Sequence, residues 1–425
     1  MKRSPIGLFL LLCVVLSALD SARAQTPTQT PAGTRPRTVT GGQAPSQSTP
    51  PAPTPGAATS PEPGERTIIQ PPQTFPVPSA QLPAPPAQSA HPLSVSKIRA
   101  RTAEAERLLK SRATPTAMTP SLQTVTLAVL DPDSSQILLL PLPKEIFLKK
   151  GSEAALPSAT GSMLQVRILR ANGVNTAVTV SDATGRQLVP LIVEYPIERN
   201  GRFLEMAYYT SVHPALLSPE VVRTGENYVR TMLDLAAKRL RDKGVIIQPA
   251  LVDMAERLCI VEHVDHTRFR LENRRALYEE IFALYALNEL DTYRYSVSTA
   301  GAGGMVQMIP STYQMIRREH PGVGLNPDFV YGMRNHGNAL EAMLLYIRDT
   351  WTLLSSSSDV MYALGAGQAT QPELLAAGYN SNPARLALYL RRGGSGWRSL
   401  IPRETQMYLQ IYASLDSLIP MKRRA

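Results

Sequence analysis

Cysteine is scarce in this chain: 425 residues contain two, Cys13 and Cys259. Cys13 falls inside an N-terminal apolar run, so Cys259 is left without a partner and no internal disulfide framework can form. Without one, stability must come from a packed core. Cys259 itself sits in an apolar helical pattern and reads as a small buried hydrophobe. A phosphate loop is also missing, because the glycines at 301–304 neither follow an apolar strand nor carry a Lys, and no dinucleotide fingerprint occurs. There is no His-Glu-x-x-His, which removes the commonest helical zinc signature.

The apolar run at residues 6–19 is too short for a comfortable membrane span. It follows the basic Met1-Lys2-Arg3 and precedes Ala22-Arg23-Ala24, a small-x-small cleavage site before Gln25. This pattern predicts an export signal over 1–24, with an uncleaved anchor as the alternative. Cys13 lacks the small residues that would precede a lipoprotein site. The expected location is the periplasm or cell envelope, with no stable membrane span once the signal is removed. The formal charge of +10 favours an anionic partner: nucleic acid, acidic lipid or cell wall. The export signal argues against nucleic acid, as does the absence of aromatic residues interleaved with a basic stripe.

With 43% apolar residues the chain can bury a large core. Its 37 prolines are concentrated near the N-terminus, where 25–95 is rich in Pro, Thr, Ser, Ala, Gln and Gly. Such a segment cannot bury enough surface to offset chain entropy, so a disordered linker is expected. A short surface helix is expected near 97–112. From 120 to 212 the sequence carries short β-favouring runs separated by turn signals at Asp131-Pro132-Asp133, Ala171-Asn172-Gly173 and Ala183-Thr184-Gly185. They predict a small all-β domain, a sandwich or barrel of five to seven strands. No acid, histidine or cysteine cluster marks a site there, and contacts to other cell-wall proteins are its open role.

From Ser218 the pattern is helical. Ser218-Pro219-Glu220 is a helix start, and Val229, Leu233, Ala236 and Leu240 form an apolar stripe that Gly244 ends. A second helix starts near Pro249, a third runs over 272–289, and others follow at 310–318, 338–350, 358–363, 371–377, 383–391 and 402–418. The fold class expected is α+β and multidomain, with the β-domain followed by an all-α domain over 218–420.

Glu289 is the first candidate for chemistry. It continues Tyr278, Phe282 and Tyr285 along one face of the third helix, near its C-terminal end. The negative end of the helix dipole and apolar neighbours both favour the neutral acid. Glycosidic cleavage needs such a proton donor; a solvated helix end is the alternative. Glu262 is the rival. It continues Leu251, Ala255 and Leu258 and lies in Val261-Glu262-His263-Val264-Asp265-His266, beside two histidines. His263 and His266 could also be half of a zinc site, although structural histidines are the preferred reading and no metal or cofactor is expected.

Past Glu289 comes Ser298, followed by Gly301-Ala302-Gly303-Gly304-Met305-Val306-Gln307 and Pro310-Ser311-Thr312. Further on stand Gly378-Tyr379-Asn380-Ser381-Asn382-Pro383 and Ile401-Pro402-Arg403-Glu404-Thr405-Gln406-Met407-Tyr408. In this order the segments resemble the lytic transglycosylases of the soluble murein type, within the lysozyme-like superfamily. Their motif has the catalytic Glu, Ser-x-x-Gly-Ala-x-Gly-Leu-Met-Gln, Pro-x-Thr, Ala-Tyr-Asn-Ala-Gly-Pro and Pro-x-Glu-Thr-x-x-Tyr. The resemblance covers roughly 275–412. It departs at Leu290, where the family usually has Ser, at Gly378 in place of Ala, and at Ser381-Asn382 in place of Ala-Gly.

The resemblance implies a lysozyme-like helical domain and a peptidoglycan-cleaving enzyme acting on glycan strands without a cofactor. Glu289 would be its catalytic acid, and Ser298, Met305, Gln307, Tyr379 and Glu404 would line the saccharide groove. The bond cut would be the β-1,4 link from N-acetylmuramic acid to N-acetylglucosamine, leaving 1,6-anhydromuramyl ends. Placing Glu262 in the motif instead requires a long insertion before Ser298. The alternatives are a non-catalytic cell-wall binding or scaffolding protein, a hydrolytic lysozyme, and a metal-dependent hydrolase built on His263 and His266.

Overall fold

The computed structural model describes residues 93–112 and 121–425. The expected export signal and nearly all of the expected Pro-rich linker lie outside the described residues. The strand-forming part contains β1 (Thr124–Leu130), β2 (Ile137–Pro143), β3 (Glu153–Pro157), β4 (Met163–Arg170), β5 (Ala177–Asp182), β6 (Gln187–Arg199) and β7 (Arg202–Tyr209). They form one antiparallel sheet in the order β2-β1-β6-β5-β4-β3, with β7 also paired to β6. The sheet curls into a nearly closed barrel. In β4, Leu164, Val166 and Ile168 are buried while the residues between them are exposed, the period-two pattern of a half-buried strand.

β1 behaves differently, with every residue after Thr124 buried. The reason is α1 (Val95–Lys110), which packs across the backs of β1 and β6. The sequence predicts a surface helix here. Instead Ile98, Ala105 and Leu109 are buried in the sheet's core, so both faces of β1 are covered.

After the single turn α2 (Lys144–Phe147), the helical part comprises α3 (Pro219–Asp242), α4 (Pro249–Val261), α5 (His266–Leu271), α6 (Arg274–Asn288), α7 (Pro310–Glu319), α8 (Phe329–Arg334), α9 (His336–Ser355), α10 (Ser358–Gly365), α11 (Gln371–Asn380), α12 (Leu386–Gly393) and α13 (Arg403–Leu418). The Ser218 side chain accepts the Val221 N–H and caps α3, with Pro219 at its first position. The stripe Val229, Leu233, Ala236 and Leu240 is buried as its spacing predicts. Cys259 is fully buried in α4, and burial pushes its thiol pKa up. Among the described residues no helix is long and apolar enough to cross a membrane.

The expected fold class, an α+β multidomain chain with a small all-β domain followed by a separate all-α lysozyme-like domain, is corrected. Strands do precede helices along the chain, but all described residues fall in one compact unit, 35–425, and the cores of the two parts meet on one helix. The physical cause is α6, which is apolar on more than one face. Leu277, Tyr278, Ile281, Phe282 and Tyr285 enter the helical core. Ala283, Leu284 and Ala286 enter the core of the sheet, together with Val221 of α3. A helix buried on both sides cannot be a domain boundary.

Polar contacts reinforce that junction. The Asn288 side chain accepts from the Thr210 N–H at 2.9 Å and donates to the Thr210 carbonyl at 2.8 Å. Arg170 of β4 reaches Glu280 of α6 at 2.5 Å. On its other side α6 meets α3 so closely that a Cβ on Gly225 would lie 1.8 Å from the Phe282 carbonyl oxygen. Only glycine permits that approach.

Candidate active site

Two helices end in a glutamate, and the surroundings of the two acids differ. α6 stops at Asn288, and Glu289 leaves the helical path with φ of +44° before a short 3-10 turn. It therefore does not extend the line Tyr278, Phe282, Tyr285, all three of which are buried in the core. The Glu289 side chain is 45% exposed and forms an ion pair with Arg99 of α1. Leu290, next to it, is also largely exposed.

Glu262 follows directly on α4, at its C-terminal cap, and is only 7% exposed. Tyr408 of α13 donates its hydroxyl to Glu262 Oε1 at 2.6 Å. Glu262 lines a cavity of about 630 Å³ together with Gln307, Tyr346, Tyr379 and Asn380. This is the size of an ordinary ligand cleft. Of the sequence candidates, Gln307 and Tyr379 meet Glu262 there; Glu289, Ser298, Met305 and Glu404 are not among the lining residues.

Each candidate has a definable place. Gln307 holds a positive φ of +46°, and its side-chain amide donates to the Gly304 carbonyl at 2.8 Å. Left-handed backbone at a non-glycine residue costs free energy and is a feature of ligand-binding loops. The loop keeps this shape because Gly304 has φ of +67° and a Cβ there would meet the Met333 carbonyl oxygen at 2.4 Å. Ser298 serves the same turn, its hydroxyl accepting from the Ala302 N–H at 3.0 Å. Met305 is fully buried in the helical core, and Glu404 stands in the first turn of α13.

Tyr379 donates to the Val306 carbonyl at 2.7 Å and packs against Tyr346 with ring centroids 5.6 Å apart. Burial holds its phenol well above the ordinary tyrosine range, and the adjacent Glu262 acts in the same direction. The phenol is thus a fixed neutral group on the cavity wall.

The segment around Glu404 contributes through neighbours whose roles the sequence did not assign. Thr405 donates to Asn380 Oδ1 at 2.9 Å, bracing a cavity residue, while Tyr408 holds the buried acid. His263 is not among the residues lining the cavity; it stacks on Tyr293 with centroids 3.4 Å apart and donates from Nε2 to the Met305 carbonyl at 2.8 Å. His266 opens α5. Among the described residues the one close group of three metal-ligating side chains is Glu319, His320 and Asp349, which includes neither of these histidines.

Between Glu262 and Ser298 the chain is folded as α5, α6 and the following turn. The signal for this acid was in the sequence, as a glutamate ending the apolar stripe of α4. Compared with known proteins, the chain matches no family model, no curated protein and no solved structure.

Proposed function

We propose that the chain is an exported peptidoglycan lytic transglycosylase in which Glu262 is the catalytic acid. The observation that carries this reading is a buried carboxyl at a helix end, held by Tyr408 and lining one cavity together with Gln307 and Tyr379.

In the proposed reaction Glu262 protonates the oxygen joining N-acetylmuramic acid to N-acetylglucosamine. The substrate's own N-acetyl group stabilises the positive C1. Glu262, now a carboxylate, takes the proton of the C6 hydroxyl, and that oxygen bonds to C1 to close a 1,6-anhydro ring. No water and no second carboxylate enter. Two more acids, Glu319 and Asp349, line the same cavity, as an inverting hydrolase would require. Asp349, however, has Oδ2 against His320 at 2.5 Å and Oδ1 against the Arg348 guanidinium at 3.0 Å. A carboxylate engaged at both oxygens is poorly placed to activate water. The formal charge of +10 suits an anionic polymer.

The test is digestion of purified peptidoglycan with mass analysis of the released fragments. Anhydro-muramyl products that disappear in Glu262→Gln and persist in Glu289→Gln are the expected result. Reducing ends would make the enzyme a hydrolase, no release from the wild-type chain would make it a binding protein, and unchanged release by Glu262→Gln would remove Glu262 from the mechanism.

A further inference from the structure

The wall of the cavity also carries a group that the reaction above does not use. Glu319 and His320 end α7, and Asp349 stands on α9. One ligand atom from each residue lies within 4.8 Å of the other two. His320 Nε2 faces Asp349 Oδ2 at 2.5 Å, and Arg348 holds the other oxygen, Oδ1. This is the arrangement of a ligating carboxylate whose second oxygen is fixed by an outer partner. Glu319 and Asp349 also line the cavity, so an ion bound between them would have its remaining positions open to whatever the cavity holds.

We propose that Glu319, His320 and Asp349 form a divalent metal site of the zinc class at the rim of the cavity. One imidazole and two carboxylates make a mixed nitrogen and oxygen set, which zinc accepts with three protein ligands and an open fourth position. Calcium and magnesium prefer oxygen-only sets with more ligands. Zinc bond lengths of about 2.0–2.1 Å require His320 and Asp349 to part slightly, which the half-exposed end of α7 can accommodate. An ion here would offset two of the three carboxylates, Glu262, Glu319 and Asp349, that line a cavity assigned to an anionic polymer. It would also tie α7 to α9. The site stands on its own geometry and does not depend on the glycan reading.

The experiment uses tag-free, chelator-washed protein dialysed against zinc alone, with calcium as comparator, followed by metal analysis and thermal unfolding. One zinc ion per chain is expected, with a higher unfolding temperature in zinc and none in calcium. His320→Ala and Asp349→Asn should each weaken zinc binding by about tenfold or more, as should Glu319→Gln, a substitution at an exposed position that leaves the fold intact. Absence of retained zinc overturns the proposal, and so does zinc retained equally by all three variants. Neither readout involves peptidoglycan, so failure of this proposal and failure of the transglycosylase reading are separable.

Discussion

The ends of α4 and α6 make an instructive pair. Both helices are apolar, both finish in glutamate, and on helical periodicity Glu262 and Glu289 have equal claims to a buried face. Glu262 remains at the cap of its helix and stays 7% exposed, beneath Tyr408 and beside the Gln307 loop. Glu289 breaks from its helix at positive φ, reaches half-exposure and pairs with Arg99. The difference lies in what stands opposite each end. α4 ends against α11 and α13, whereas α6 ends where the sheet and α1 begin. α6 is therefore a joint between two cores, and it is the end of α4 that lines the cavity.

The strongest way to break this contrast is the paired substitution. Glu262→Gln should lower the rate of peptidoglycan release by about 10²-fold or more, the usual scale for loss of a general acid, with an unfolding temperature near that of the wild type. Glu289→Gln should stay within about twofold, read in the same turbidity assay. Equal losses in the two variants would erase the distinction.

Next comes the joint itself. Gly225→Ala places a Cβ against the Phe282 carbonyl and should destabilise the fold by about 3 kcal/mol or more, since overpacking against backbone cannot be relieved by a side-chain shift. Urea unfolding measures this, and because α6 joins the two cores, signals from the sheet and from the helices should move together. Separate transitions would restore two independent domains.

A smaller effect is expected from Tyr408→Phe, which removes the hydrogen bond to Glu262. Loss of this partner should cost about 1–3 kcal/mol of stability. It should also lower the rate of peptidoglycan release, because the hydroxyl fixes the position of the acid. An unchanged rate would reduce Tyr408 to a packing residue. The smallest effect belongs to Arg99→Ala. Its ion pair with Glu289 is about half-exposed on both sides, so thermal unfolding should report no more than about 1 kcal/mol, with activity unchanged. A large loss of activity here would return Glu289 to the site.

Local signals carried much of the secondary structure. The start of α3 at Ser218 and Pro219, the stripe that follows, and the helices near 310, 358, 371 and 402 lie close to their expected places, because caps, prolines and apolar spacing act within one or two turns. The α1 helix was less legible. Its four buried residues among many charges look like a surface helix until the sheet covers them. Of the candidate site, Gln307 and Tyr379 were readable and do line the cavity. Tyr408 and Thr405 were present in the motif but act by holding other residues, a role that no spacing reports.

What the sequence determined by itself was the order of strands and helices, the glycine-rich turn before Gln307 and the two candidate acids. What only the tertiary structure decided was which acid faces the cavity and whether the sheet stands apart from the helices. Periodicity specifies which side of a helix is apolar, but the partner across that side is brought by contacts distant in the chain. Tyr408 reaches Glu262 across 146 residues, and Asn288 reaches Thr210 across 78.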